Sequence, residues 1–309
     1  MSTYQSVQDL DFELTELPTL PPFGSLLMGD PADFDVEYAI NPHMRNEAGE
    51  LHSVDRARAL EQWNGLRACF EELGMDVAVL PPLTEHPDLV FCANPGLPIP
   101  AEVAGAPPRL VPSRMASEKR QGEVAHLAAF FEARGWRIEP LEDEAERFEG
   151  TGDGLWHPGR RLLWGGIGPR STREPWEEIA RRYTLPIVTL ELADPDFYHL
   201  DTCLALIDES TCLWIPDAFD QAGRELIRRL VPDPIAVSEH EARRGFACNA
   251  FAPHPSGAAA ETKPTVVIQR GSAEIVRALR DRGFPVREVE TGEYVKSGGS
   301  VFCMKLAYV

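Results

Sequence analysis

The amino-acid sequence predicts a mixed α/β fold in which a unit of two or three short strands and one helix recurs about five times, at about sixty residues per unit. Short apolar or β-branched runs bounded by Pro or Gly alternate with amphipathic helical stretches along all 309 residues. A doubly wound sheet is the competing fold, but no Gly-x-Gly-x-x-Gly opens a helix after the first strands. Cyclic repetition of such units favours a closed or propeller-like architecture, with the helices outside and the strands inside.

The first half of the chain contains two amphipathic helices. Apolar residues at three- and four-residue spacing predict one helix over residues 55–73, which Gly74 ends. A second helix is predicted over residues 117–134 and stops at Gly135. Short apolar runs predict strands at residues 38–42, 77–81, 89–93 and 109–112.

The same alternation continues to the end of the sequence. Helices are predicted at residues 174–183, 217–230 and 272–282. Strands are predicted at residues 136–140, 161–164, 187–190, 203–207, 211–215, 235–237, 246–251, 265–269, 286–289 and 301–309. We interpret the Ala-, Gly- and Pro-rich residues 253–264 as a surface loop, because strands flank them on both sides. We therefore expect one domain over residues 1–309, with residues 1–25 as a peripheral leader.

The charge of the chain limits its partners. With 30 Lys and Arg against 49 Asp and Glu, the formal net charge is −19, and the isoelectric point is near 4.8. Such a field repels nucleic acid and anionic membranes, which excludes both as partners and suits a small cationic ligand.

Cysteine usage and the terminal sequence predict the compartment. The 6 Cys lie singly, without the spacing of a structural zinc site, so we expect neither a metal nor another cofactor. The acidic start lacks the features of a signal peptide, and no run approaches the roughly 18 apolar residues of a membrane span. We therefore expect a cytoplasmic protein, and the sequence leaves a homo-oligomer open.

Four segments combine reactive side chains with turn residues, namely residues 88–96, 148–153, 197–202 and 296–303. Glycine beside an acid or a thiol lets the backbone approach a ligand closely. Each residue also has a structural interpretation: Cys303 as a buried strand residue, His199 as a hydrogen-bonded core histidine, and Glu149 as a turn acid facing solvent. The case for chemistry depends on the four segments occurring together.

Three motifs occur in a characteristic order: Glu-Gly-x-Gly-Asp at residues 149–153, Tyr-His-Leu-Asp-Thr at residues 198–202, and Gly-Gly-Ser-x-x-Cys at residues 298–303. In this order they resemble the guanidino-group-modifying superfamily of arginine deiminases, dimethylargininases, amidinotransferases and arginine dihydrolases. The likeness extends from about residue 30 to residue 309 and includes residues 35–42, 118–122, 163–168 and 246–249. The resemblance implies a five-fold pseudosymmetric α/β propeller, the pentein fold.

The resemblance also implies roles for individual residues. Cys303 would be the nucleophile, His199 the general acid/base, and Glu149 and Asp201 ligands of the guanidinium group. A thiolate attacks the resonance-stabilised guanidinium carbon better than water does, and the carboxylates orient the cation. Arg114 and Arg170 would bind a substrate carboxylate, although arginines that bind nothing are the alternative for each. Asn41 would be a further substrate-binding residue.

Two positions depart from the plainest family pattern. Deiminases have a third guanidinium-binding Asp where this chain has Asn94, and a neutral amide suits a neutral ureido group. That substitution resembles the arginine dihydrolases, unless Asn94 only begins an Asn-Pro-Gly turn. Where arginine-specific dihydrolases have an Asp for the substrate ammonium, this chain has His157, a poor ammonium partner. An α-acylated or desamino substrate therefore fits as well as free arginine.

These observations predict a cysteine-dependent hydrolase that cleaves C–N bonds of a guanidino substrate. The dihydrolase interpretation predicts the amine, carbon dioxide and two ammonia molecules as products. The alternatives are single-step hydrolysis by a deiminase or dimethylargininase, amidino transfer to a second amine, and a non-catalytic binding protein on the same fold.

Overall fold

The computed structural model describes residues 3–101, 105–142, 146–254 and 262–309. The surface loop predicted at residues 253–264 falls largely on residues 255–261, which lie outside the described residues. Helices and strands alternate throughout, which confirms the predicted mixed α/β fold. The closure of the units into a propeller stays a prediction.

The strands are short and occur along the whole of the described chain. They are β1 Thr3–Tyr4, β2 Ser25–Gly29, β3 Asp76–Leu80, β4 Gly96–Ile99, β5 Arg109–Pro112, β6 Arg137–Ile138, β7 Gly154–Trp156, β8 Leu163–Ile167, β9 Ile187–Glu191, β10 Leu204–Leu206, β11 Thr211–Trp214, β12 Asp233–Ala236, β13 Val266–Gln269, β14 Val286–Val289 and β15 Leu306–Tyr308. The α-helices are α1 Arg56–Glu72, α2 Gln121–Glu132, α3 Gly150–Asp153, α4 Glu174–Arg182, α5 Gln221–Leu230, α6 Glu239–Arg243, α7 Ala273–Asp281 and α8 Gly292–Val295.

The described strands form separate small sheets with a repeated pairing pattern. Their orders are β15-β2-β3, β4-β5-β6, β1-β9-β8-β7, β10-β11-β12 and β13-β14. In the first four sheets an antiparallel pair is followed by a parallel pair, and in the last an isolated antiparallel bridge from Phe251 to Val267 accompanies the parallel pair. In each sheet one parallel pair is connected through a single helix, as a parallel connection requires: β2-β3 through α1, β5-β6 through α2, β8-β9 through α4, β11-β12 through α5 and β13-β14 through α7. The further parallel pair β1-β9 lacks such a connection.

Helix α1 shows why the spacing of apolar residues predicted the helices well. The Asp55 carboxylate accepts a hydrogen bond from the Arg58 backbone and caps the helix. Trp63, Leu66 and Phe70 lie on one face at helical spacing and are buried. Burying that face against β2 and β3 holds the helix to its sheet.

Three predicted strands are wrong, because the chain forms 3-10 turns within or directly beside these segments. Residues 38–42 lead into a 3-10 turn, Pro42–Met44, because the Asn41 side chain caps it. Residues 89–93 overlap another 3-10 turn, Pro87–Val90, and residues 246–251 contain a third, Ala247–Asn249. Tight turns replace extended chain at these places.

Four strands of the described chain were not predicted, Thr3–Tyr4, Ser25–Gly29, Gly96–Ile99 and Gly154–Trp156. Ser25–Gly29 and Gly96–Ile99 each follow or contain proline, and both are buried where they pair with other strands. The predicted leader contributes β1, which pairs in parallel with the edge of β9. Among the described helices, none combines the length and the apolar character that crossing a membrane would require.

Candidate active site

The segments that connect the sheets surround a cavity with an empty volume of about 290 Å³. Its polar lining comes from six separated parts of the chain. The polar and charged residues that line it, together with Cys303, are Asn41, Asp88, Asn94, Arg120, Arg170, Tyr198, His199 and Ser297.

Cys303 lies in the turn before β15, and a single asparagine organises that turn. The Asn249 side-chain oxygen accepts hydrogen bonds from the backbone N–H groups of Ser300, Phe302 and Cys303, at 3.1, 3.1 and 3.2 Å. The Asn249 amide nitrogen donates to the Cys303 Sγ at 3.1 Å. Asn249 therefore fixes both the backbone and the sulfur of Cys303.

The thiol of Cys303 also contacts a carboxylate. Its Sγ donates to Asp201 Oδ2 at 3.0 Å, whereas Asp201 Oδ1 has no hydrogen-bond partner among the described residues. Burial, and then the charge of Asp201, raise the pKa of Cys303 well above its ordinary value. Burial likewise raises the pKa of Asp201 to about 7, although the Cys303 hydrogen bond opposes it. Without a cation in the cavity, the sulfur is therefore a thiol.

His199 is paired with Glu149 on another side of the cavity. His199 Nε2 lies 2.7 Å from Glu149 Oε2, so the ring nitrogen donates to the carboxylate. Arg170 Nη1 lies 3.2 Å from the same oxygen, and the Ala116 backbone donates to Oε1 at 2.9 Å. Burial raises the pKa of Glu149, but the hydrogen bond and charge of His199 and the charge of Arg170 outweigh it and lower the pKa to about 2. Glu149 is therefore ionised, and its carboxylate accepts the hydrogen bond from the His199 ring.

Two glycines after Glu149 allow this turn to lie against residues 94–96. Gly150 has a φ of +50°, and a Cβ there would lie 2.4 Å from the Gly96 carbonyl oxygen. A Cβ on Gly152 would lie 2.3 Å from the Asn94 Nδ2 and 3.3 Å from the His199 ring. The motif needs glycine at both positions, because a side chain at residue 150 would clash with the backbone of residues 94–96 and one at residue 152 would clash with the Asn94 side chain.

Arg170 and Asn41 line the cavity as predicted from the sequence, but both are engaged by the protein. Arg170 donates to Glu149 and to the Ile40 carbonyl at 2.6 Å, and its guanidinium lies over the Tyr198 ring. Asn41 Nδ2 donates to the Ser297 carbonyl at 2.9 Å. Binding of a substrate carboxylate by either residue stays a prediction.

The structure does not place His157 or Arg114 in the lining of the cavity, and a substrate-binding role for either residue stays a prediction. His157 is fully buried; its Nε2 donates to the Glu209 carbonyl, and its Nδ1 accepts from Trp164. Burial lowers the pKa of His157 to about 4, so the ring is neutral. Arg114 donates to the Leu141 carbonyl instead of lining the cavity. Each of the two side chains donates a hydrogen bond to a backbone carbonyl outside the lining of the cavity.

Sequence reasoning assigned no role to Arg120, Asn249 and Lys305. The first two lie in the segments 118–122 and 246–249, so the motif signal was present although their contacts were not visible. Lys305 is fully buried, with its ammonium 3.1 Å from the centre of the Phe302 ring. Burial lowers the pKa of Lys305 to about 7. Within the described part of the chain, no group of three or more His, Cys, Asp or Glu could hold a metal ion.

A buried thiol, an imidazole and carboxylates around one cavity place the protein in the guanidino-group-modifying superfamily. The protein is a hydrolase that acts on C–N bonds of guanidino compounds. The family model described as "N,N dimethylarginine dimethylhydrolase, eukaryotic" matches residues 30–308, and the chain belongs to this family.

Individual relatives extend this result. The chain is 34% identical over 282 residues to the bifunctional arginine dihydrolase/ornithine cyclodeaminase ArgZ of Synechocystis, covering 91% of this chain but 37% of ArgZ. It is 36% identical over 279 residues to the N(G),N(G)-dimethylarginine dimethylaminohydrolase of Mycobacterium tuberculosis, covering 90% of this chain and 84% of the relative. The solved N-terminal domain of ArgZ, a cyanobacterial arginine dihydrolase bound to product, superposes with a TM-score of 0.81 at 34% identity, over 92% of this chain and 97% of that domain.

Proposed function

We propose that the protein hydrolyses the guanidino group of arginine or an arginine derivative through a covalent intermediate on Cys303. The observation that carries the proposal is that Cys303, His199 and Asn94 line one cavity, with Asp201 in contact with the thiol. A binding protein needs no nucleophile beside an acid/base. The dihydrolase reaction, with two successive hydrolyses, is the form that we favour.

The first hydrolysis begins when the guanidinium group reaches Asp201 Oδ1. The added positive charge lowers the pKa of the Cys303 thiol, whose proton passes to His199. The thiolate adds to the guanidinium carbon, and the C=N electron pair moves onto nitrogen. His199 then gives its proton to the leaving nitrogen, which departs as ammonia and leaves an S-alkyl thiouronium.

Water completes the first hydrolysis. His199 takes a proton from the attacking water, the C–S bond breaks, and its electron pair returns to sulfur. The ureido product forms, and the ionised Glu149 stabilises the imidazolium of His199 during each transfer. One water is consumed, and one ammonia is released.

The second hydrolysis repeats the attack on the ureido carbon. Its product is a carbamate, which decomposes to the amine and carbon dioxide, so that two waters yield two ammonia molecules in all. Asn94 supports this form, because its neutral amide is compatible with a neutral ureido group. Two solved structures of the ArgZ domain contain a Cys-to-Ser variant bound to substrate and an Asn-to-Ser variant covalently bound to a reaction intermediate. By analogy they favour covalent catalysis here.

A single hydrolysis that stops at the ureido product is the second candidate. The description of the matching family model, a dimethylarginine dimethylhydrolase, specifically favours it. In that case the substrate would carry alkyl groups on its guanidino nitrogens, and an alkylamine would leave in place of ammonia.

We propose that the five described sheets are the blades of a pentein propeller in a single domain over residues 1–309, since each repeats a helix-connected parallel pair. We also propose that the protein works in the cytoplasm on a small cationic guanidino substrate, alone or as a homo-oligomer, in keeping with its net charge of −19.

Product analysis tests the proposal. The protein is incubated with arginine, an Nα-acylated arginine, a desamino guanidino acid and an NG-methylated arginine, with Cys303→Ser as the matched control. Ammonia, alkylamine, ureido product and final amine are measured. Two ammonia per substrate support the dihydrolase reaction, and one ammonia or alkylamine with a stable ureido product supports the single-step candidate. Absence of turnover with every compound would contradict hydrolysis of this substrate class.

A further inference from the structure

We propose that Arg120 is a positioning residue that holds the Asn94 amide with its NH2 group toward the cavity, so that this side of the site selects an oxygen acceptor. The inference rests on the proposed function and deepens it. Asp201 would then bind the cationic substrate, whereas Asn94 would bind the oxygen of the ureido intermediate and of its tetrahedral adduct.

Arg120 is clamped on all sides in the interior. Its guanidinium donates to both Glu123 carboxylate oxygens, at 2.9 and 2.7 Å, and to the carbonyls of Asp88 and Phe91, at 3.2 and 3.1 Å. Arg120 is 3% exposed and Glu123 0%. The remaining donor, Nη1, lies 2.8 Å from Asn94 Oδ1. These four hydrogen bonds therefore fix the position of the Arg120 guanidinium group relative to Asn94.

That contact determines which way the amide faces. An arginine guanidinium has donors and no acceptor, so the Asn94 atom next to it must be the carbonyl oxygen. The backbone of Asn94 is held as well, since Ser113 Oγ donates to its carbonyl oxygen at 2.5 Å. Rotating the amide would bring its NH2 group against the Arg120 donors, which opposes rotation.

The Asn94 NH2 group remains available for a hydrogen bond to a ligand in the cavity. Asn94 is 2% exposed, and among the described residues its Nδ2 has no hydrogen-bond partner. The nitrogen lies where it would be 2.3 Å from a Cβ on Gly152, a position also 3.3 Å from the His199 ring. An unpaired buried donor beside the acid/base is thus available to a reacting group.

The guanidinium substrate and the ureido intermediate would interact differently with the Asn94 NH2 group. A guanidinium group directs only N–H donors outward in its plane, so it gains nothing from a facing NH2 group. A ureido group has one carbonyl oxygen, and thiolate attack turns that oxygen into an oxyanion, which a fixed donor stabilises most. The amide therefore favours the second hydrolysis through orientation as well as through its lack of charge.

Ligand binding to the inactive Cys303→Ser variant tests the inference. In the Cys303→Ser background, calorimetry measures the affinity for the guanidino substrate and for its ureido product, with and without Arg120→Lys. Lys keeps a positive charge beside Glu123 but loses the planar fork. We expect the affinity for the ureido product to fall about 10-fold, and that for the guanidino substrate to change less than about 2-fold, because one oriented donor is lost. Equal changes for both ligands, or no change, would overturn the proposal.

Two further variants test whether the effect of Arg120→Lys comes from misfolding and whether it depends on the Asn94 amide. If Arg120→Lys does not fold, as judged by circular dichroism, Glu123→Gln loosens the clamp from its other side and should weaken ureido binding selectively. In an Asn94→Asp background both oxygens are equivalent, so Arg120→Lys should no longer change the ratio of the two affinities. A persisting change would overturn the orientation argument. The ammonia count of the unmutated enzyme tests the proposed function separately.

Discussion

Replacing Asn94 by Asp should convert two hydrolyses into one. The carboxylate would accept from Arg120 Nη1, now 2.8 Å from the amide oxygen, and would place its second oxygen where the NH2 group lies. A ureido oxygen would then face a negative oxygen and would lose its donor. A guanidinium group would gain a charged acceptor at the same point.

The size of the effect follows from that single lost donor. Leaving one buried polar group unsatisfied costs about 1–3 kcal/mol, which corresponds to about a 5- to 150-fold loss of rate for the ureido step. The first hydrolysis should continue, so the ureido compound should accumulate and the ammonia yield per substrate should fall from two toward one. Ammonia is measured by a coupled assay and the ureido product by colorimetry on the same samples.

A second Asn-to-Asp substitution, at another residue that lines the cavity, provides the control. Asn41→Asp makes the same change of charge at a residue that contacts the Ser297 carbonyl and not Arg120. The ammonia yield per substrate turned over should stay at two in this control, whatever its rate. If Asn94→Asp still releases two ammonia, or if Asn41→Asp also stops at the ureido product, the reasoning from the Asn94 donor is refuted.

The remaining predictions concern the thiol and the buried histidine. Cys303→Ser should abolish turnover with an unchanged circular dichroism spectrum, since a hydroxyl does not ionise in this site; retention of most activity would remove the covalent mechanism. Because burial and Asp201 raise the pKa of Cys303 above its ordinary 9.0, alkylation by neutral iodoacetamide should still be rising above pH 9.0, whereas a cationic haloacetamidine should react at lower pH. Identical pH profiles for the two reagents would contradict control of the thiol by cation binding. His157→Asp should lower stability by about 1–3 kcal/mol in chemical unfolding and leave the preference for free over desamino arginine unchanged, because the residue is buried against Glu209 and Trp164 and does not line the cavity. A changed preference would return His157 to the substrate site.

Local sequence patterns determined the regular elements of this protein. The spacing of Trp63, Leu66 and Phe70 identified α1, since a helix that buries one face needs apolar residues on each turn. Strands β5 and β14 occupy their predicted residues, because short apolar runs between breakers leave few other conformations. The order of the motifs likewise indicated the superfamily and the residues that line the cavity.

The tertiary structure decided how those residues work. Asn249 and Cys303 are 54 residues apart, and Asn41 and Ser297 are 256 apart, so no local pattern could reveal their hydrogen bonds. The segments that carry Asn41 and Asn249 bend in tight turns where extended chain was predicted, because their side chains form hydrogen bonds with backbone groups distant in the sequence.

His157 and Asn94 show the same limit at single residues. Both types carry a donor and an acceptor, and the sequence alone does not say which partner each atom meets. Folding places the ring of His157 between the Glu209 carbonyl and Trp164, outside the lining of the cavity, and places Arg120 against the Asn94 oxygen, which leaves the NH2 group without a hydrogen-bond partner among the described residues. The motifs indicated Cys303, His199 and Asn94 as residues of the site, whereas the contacts of Arg120 and Asn249 and the direction of each hydrogen bond depend on which distant groups folding brings together.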